Sequence, residues 1–374
     1  MTRLLIVLSL GLCFATGSTQ GQESVNGRKS MVFRGSQALL VVDLAGGSIV
    51  DFHLQDQPLN PLQWATPPAG DTAIRGFGHF LCLDRWGAPS DAEGANGMPY
   101  HGEAAHVEWT PVSAPQTEGE FVQAEMTASL PMAGLGIHRR IRFSKKSALF
   151  IVREQITNRN KLGRVLNCVQ HPTISPPFLD ETTLVDCNGQ KGFAQGNPSV
   201  TSPEEPSVEW PAALKKNGRS VDMRRLANDP DPNVVSYAIE GDYGWVTAVT
   251  PKKGLLIGYV WKTADYPWVS LWRDVHESKP AARGLEFGST GLHQPFPILT
   301  TKGRIFGRPL FEFLDANQTV TKSYASFLLK VPADYAGVGS LRVENDRLIL
   351  SERGGSKGRD LRVETFDLVQ RMSQ

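Results

Sequence analysis

The chain has 374 residues, with 39 basic and 38 acidic side chains. That balance leaves no positive footprint for nucleic acid or an anionic membrane and suits an uncharged partner. The first residues read as an export signal: Arg3 supplies positive charge, 4–15 is apolar, and 15–21 is small and polar. The apolar run is too short to span a bilayer, and Leu12 before Cys13 argues against a lipid anchor. The expectation is a leader over 1–21, an exported protein that is periplasmic or secreted, and no membrane anchor. The rest, 22–374, is expected to form one domain, since no composition shift marks a linker.

Along the mature chain the hydrophobic pattern alternates with the two-residue period of strands, punctuated by Gly, Pro, Asn and Asp. Segments 37–43, 121–130, 137–143, 149–157 and 255–261 carry it, which predicts a mainly β, antiparallel protein. Segment 255–261, LLIGYVW, is apolar at nearly every position, as in a strand covered on both faces of a sandwich. Stretches 88–99, 189–206 and 222–232 read as long polar connections, the first lying just before His101. Past Gly337 the alternation returns in LRVENDRLIL.

Beyond the leader three cysteines remain: Cys82, Cys168 and Cys187. An odd number cannot be a complete disulfide framework, and the spacing does not suit a structural zinc site. A Cys168–Cys187 bridge and three buried thiols both stay open.

Three islands offer proton-handling side chains. In MPYHGEAAHVEW (98–109), His101 and His106 are five apart, so neither a strand nor a helix aligns them on one metal. Gly102 would let a ligand or a neighbouring backbone approach closely. In VLNCVQHPTISPPFL (165–179), Pro172 is expected to stop the ladder just beyond His171, which puts the imidazole at a strand end facing a cavity rim instead of continuing in the sheet. In RGLEFGST, Glu286 takes the face opposite Leu285 and Phe287. The preceding WVSLWRD places Trp268, Ser270, Trp272 and Asp274 on one strand face. Its indoles are platforms for pyranose C–H faces, and its carboxylate is an acceptor for hydroxyls. Arg75, followed by glycine, could donate two parallel hydrogen bonds.

Taken in order, these motifs resemble the galactose mutarotase-like superfamily, specifically its aldose 1-epimerase relatives. The series runs from Gly46 and Gly47 in LAGGSIVDFHL, through Arg75, PYHGEA, Trp109, Thr157 and Asn158, to QHPTISPPFL and LEFGST. The resemblance implies a large twisted antiparallel β-sandwich with the sugar on its concave face. It implies Glu286 as the base taking the anomeric hydroxyl proton, His171 as the acid protonating the ring oxygen, and His101 as the group polarising that oxygen. Arg75, Asp274, Trp268 and Trp272 would hold the sugar, with no metal or organic cofactor. LEFGST departs from the glutamate-proline sequence common in hexose mutarotases, which puts the substrate in doubt. A non-catalytic carbohydrate-binding protein, or a polysaccharide lyase or hydrolase, is the alternative on the same scaffold.

Overall fold

The computed structural model describes residues 22–25, 27–65, 76–225, 229–344, 347–355 and 359–365. The expected strands form, and all pair antiparallel: Ala38–Asp43, Phe121–Leu130, Leu135–Ser144, Leu149–Asn158 and Leu255–Lys262. They belong to two large sheets of twelve and eight strands. Arg164–Ile174 runs through the middle of the larger sheet, between His79–Asp84 and Lys279–Gly288, and it does not end at His171: Pro172 pairs with His79, and Thr173 and Ile174 continue the ladder against Gly284 and Arg283. Lys279–Gly288 then pairs with Trp268–His276, followed by Val234–Ile239 and Gly189–Ala194. The smaller sheet runs from Leu184–Cys187 through Leu255–Lys262 at its interior to Thr110–Glu118.

The sheets face each other across one apolar core. Phe33 and Phe52 from the larger sheet meet Phe143 and Phe150 from the smaller edge to face. Leu255 to Trp261 is buried throughout, as a doubly covered strand must be. A polar chain also crosses the core: Gln170 Nε2 donates to Glu154 Oε2 at 2.7 Å, and Arg139 Nη2 is paired with Glu154 Oε1 at 2.7 Å. The Arg139 guanidinium lies over the Trp109 ring, 4.3 Å from its centroid. That ring occupies the space a Cβ on Gly47 would need, at 2.4 Å, which explains the glycine in the LAGG motif.

Two of the polar connections contain regular structure. Within 88–99 lies the short helix Asp91–Ala95, opened by a capping box in which Ser90 and Glu93 cap each other. Within 189–206, Gly189–Ala194 is a strand whose glycines 189 and 192 make room for the Tyr237 ring. The tail folds back as the three-stranded sheet Val338–Glu344, Arg347–Glu352 and Leu361–Glu364. Cys82, Cys168 and Cys187 are free and buried, so no Cys168–Cys187 bridge forms. The leader, 1–21, lies outside the described residues, and no helix among those described is long and apolar enough to cross a membrane.

Candidate active site

The site is set by strand register. Between Arg164–Ile174 and Lys279–Gly288, Gln170 faces Phe287 and Thr173 faces Gly284, and that same register sets His171 against Glu286. Both side chains rise from one face of the sheet. His171 Nε2 lies 3.4 Å from Glu286 Oε2, and His171 Nδ1 lies 2.9 Å from Thr173 Oγ1. On the other side His171 pairs with Phe80, whose ring stacks on the imidazole with centroids 4.3 Å apart. Gly284 leaves room for the carboxylate, because a Cβ there would stand 2.6 Å from Glu286 Oε1.

A loop closes over this pair from above. Arg85 holds Asp84 and Glu93 together through pairs of 2.6 and 2.7 Å, tying the capped helix to the end of the His79–Asp84 strand. The loop so anchored delivers Trp86, whose indole N–H donates to Glu286 Oε2 at 2.6 Å, and His101. His101 sits at φ 67°, a left-handed conformation uncommon outside glycine. The Gly87 N–H donates to His101 Nδ1 at 3.0 Å, so the neutral ring carries its proton on Nε2 and offers a donor. Gly102, at φ 76°, admits the backbone of Leu83, whose carbonyl oxygen a Cβ would strike. Glu103 of PYHGEA is structural: it accepts the backbone N–H groups of Met132 and Ala133.

These side chains line a cavity of about 850 Å³, bounded also by Trp64, Tyr100, Trp272 and His293. Burial sets the proton balance. It pushes the Glu286 carboxyl up to about 8, against a smaller opposing effect of the Trp86 hydrogen bond. The same desolvation pushes His171 down to about 3 and His293 to about 4, and holds His101 well below its ordinary value. Near neutrality the Glu286–His171 pair therefore holds one proton, resting on the carboxyl.

His101, His171, Glu286 and Trp272 share the cavity. Trp268 does not line it: its strand face is as expected, but it packs with Leu292, Leu299, Ile305 and Leu310, and its indole donates to Pro309 O. Asp274 also stands outside, near the end of the strand, paired at 3.0 Å with the exposed His276. Arg75 lies outside the described residues. His106 is exposed, and among the described residues no cluster of His, Cys, Asp or Glu is arranged to hold a metal. Sequence reasoning missed Trp86 and His293. Both sit in irregular segments where no periodicity points to a face, and only the tryptophan-glycine pair at 86–87 hints at a special turn.

Solved structures share this architecture. A galactose mutarotase-like protein from Clostridium acetobutylicum superposes with a TM-score of 0.60 at 11% identity, covering 83% of this chain and 98% of that one. The chain has the galactose mutarotase-like fold. A galactose mutarotase related enzyme from Lactobacillus acidophilus gives 0.59 at 12% identity, covering 81% and 98%. A galactose mutarotase-like protein from Lactobacillus casei gives 0.57 at 14%, covering 80% and 100%. No protein-family model matches the sequence, and no curated protein matches it. At such identities the likeness concerns the galactose mutarotase-like scaffold, and the chemistry has to be argued from the cavity.

Proposed function

We propose that the protein is an exported aldose 1-epimerase-like isomerase that interconverts the anomers of a free sugar. The observation that carries this reading is the juxtaposition of His171 and Glu286, 3.4 Å apart at the base of a cavity that His101 also lines. Anomer exchange needs one group that takes the anomeric hydroxyl proton and one that protonates the ring oxygen. Ring opening uses the form in which the shared proton has passed from Glu286 to His171, 3.4 Å away: the carboxylate takes the anomeric hydroxyl proton while the imidazolium protonates the ring oxygen, leaving a protonated carboxyl and a neutral imidazole beside the open-chain aldehyde. Closure uses the same groups in reverse: the carboxyl returns a proton to the carbonyl oxygen while His171 takes one from the ring hydroxyl. The proton state that burial favours in the empty site, carboxyl loaded and imidazole neutral, is the one that closes the ring. His101, a neutral donor at Nε2, orients the ring oxygen. Delivery to the periplasm or beyond rests on the leader pattern in 1–21.

Saturation-transfer NMR across a panel of free aldoses tests the reading. Exchange should be accelerated for at least one sugar and fall about 10²–10⁴-fold in Glu286→Gln, the usual range for a lost acid–base group. Failure to accelerate any sugar, with glycan binding unaffected by Glu286→Gln, would replace the isomerase by a binding protein.

A further inference from the structure

The cavity is larger than the reaction requires. At about 850 Å³ it lies toward the upper end of the roughly 300–1,000 Å³ that encloses drug-sized ligands, and a single hexose would leave much of it to water. The surplus has an ordered wall. His171, Phe80 and Trp64 form a file of nearly parallel rings, with centroid spacings of 4.3 and 6.0 Å and an interplanar angle of 20° at each step. Trp272 stands edge-on to this file, 5.7 Å from Trp64 and 6.1 Å from His171. It is two residues along its strand from Ser270, the partner of Glu286, which is roughly 7 Å at ~3.4 Å per residue. Trp64 and Trp272 are only partly buried, so they keep apolar surface facing the cavity. The acid–base mechanism uses neither.

The rest of the lining is largely polar. Asn197, Asn233, Lys216, Asp231 and Glu205 present amides and charges of both signs, and Lys215 is neutralised by Asp229 at 2.6 Å. With Lys215 neutralised, Lys216 stands against two carboxylates, Asp231 and Glu205, so the surface suits hydroxyl groups and disfavours an anionic sugar. We propose that the ligand is the reducing end of a neutral oligosaccharide, a disaccharide at least. Its terminal ring lies at Glu286 and His171, and the next ring lies against Trp64 and Trp272. This inference rests on the epimerase reading of the same site.

The test compares ligands of increasing length. Exchange kinetics are measured for glucose and galactose, for maltose and lactose, and for maltotriose. Calorimetric affinities for the same sugars are measured on Glu286→Gln. The kcat/KM of a disaccharide should exceed that of its monosaccharide by at least about tenfold, and affinity should rise in parallel. Trp64→Ala and Trp272→Ala should each lower that disaccharide-to-monosaccharide ratio. The ratio is internal to each variant, so partial loss of folded protein does not move it. Equal or better turnover and binding of the monosaccharides would overturn the inference and leave the epimerase reading intact. Length-dependent binding without exchange of any sugar would retain the subsite and remove the epimerase. Absence of both binding and exchange would overturn the two together.

Discussion

The Trp86 indole N–H donates to Oε2 of Glu286, the same oxygen that faces Nε2 of His171. That hydrogen bond favours the carboxylate and opposes the desolvation that raises the acid. Trp86→Phe keeps most of the ring and removes the donor. The Glu286 pKa should then rise further above about 8, and any alkaline feature governed by it in the pH profile of anomer exchange should move upward. A hydrogen bond to a charged group contributes about 1.5–3 kcal/mol, so ring opening should slow by roughly ten- to a hundredfold at neutral pH. A profile unmoved along the pH axis would show that Trp86 does not tune this carboxyl.

Stability should carry the same signature. The ordinary value for Glu286 is 4.5 and its folded value is about 8, so between these the native state binds more protons than the unfolded chain. The contribution of this group is fully present below about pH 4.5 and is lost as pH rises through about 8. Glu286→Gln, neutral at every pH, should abolish that loss. Chemical denaturation from pH 5 to 9 should show the wild type losing stability relative to the variant. Parallel curves would mean that the carboxylate is solvated after all.

On the acid side the histidines dominate, with the opposite sign. Desolvation holds His79 and His171 at about 3 and His293 at about 4, with His101 well below its usual value. The unfolded chain binds protons at these sites near 6.5 while the native state does not, so stability should fall as pH drops below that point. His79 isolates the effect outside the cavity. It lies among the rings of Tyr259, Phe287 and Tyr324 and has Gln170 Oε1 as a partner at 3.1 Å. His79→Gln should make the acid slope shallower by up to one proton, read from urea midpoints between pH 4 and 7. An unchanged slope would place the acid sensitivity elsewhere.

Much of this fold was legible because alternation is a local property. Phe121–Leu130 coincides with its strand, and LLIGYVW falls in the interior of the smaller sheet. Period two tells which face a side chain takes, but not what later covers that face. Trp268 and Trp272 do share one, yet Leu292, Leu299, Ile305 and Leu310 pack over the first and leave the second on the cavity. Asp274 lies on the same strand near its end, beside His276, where the cavity has been passed. The meeting of His171 with Glu286 depends on a register between strands more than a hundred residues apart, which no local pattern encodes. Trp86 depends on a loop anchored by Arg85 and the Ser90–Glu93 box. That stretch reads only as a polar connection, and the place it carries the indole to is fixed by ion pairs with Arg85.

A single buried carboxylate holds the tail to the sandwich. Asp186, fully buried on Leu184–Cys187, accepts from Arg224 Nε at 2.6 Å, Arg353 Nε at 3.1 Å and the Val338 N–H at 3.0 Å. One carboxylate thus fastens the first strand of the three-stranded tail sheet and the turn after its second to the edge of the smaller sheet. Gly337, at φ 96°, is required there, since a Cβ would stand 2.2 Å from Asp186 Oδ2. Asp186→Ala leaves the Val338 N–H without its acceptor, while Arg353 is 37% exposed and Arg224 keeps Ala336 O, so the expected cost is about 1–3 kcal/mol. The loss should be local. Hydrogen exchange in Val338–Glu344 and Arg347–Glu352 should accelerate while that in Arg164–Ile174 is preserved, because the cavity strands gain nothing from this carboxylate. Asp186→Asn, which retains an acceptor, should fall between the two. Uniform acceleration across both sheets would show instead that the tail and the sandwich open as one cooperative unit.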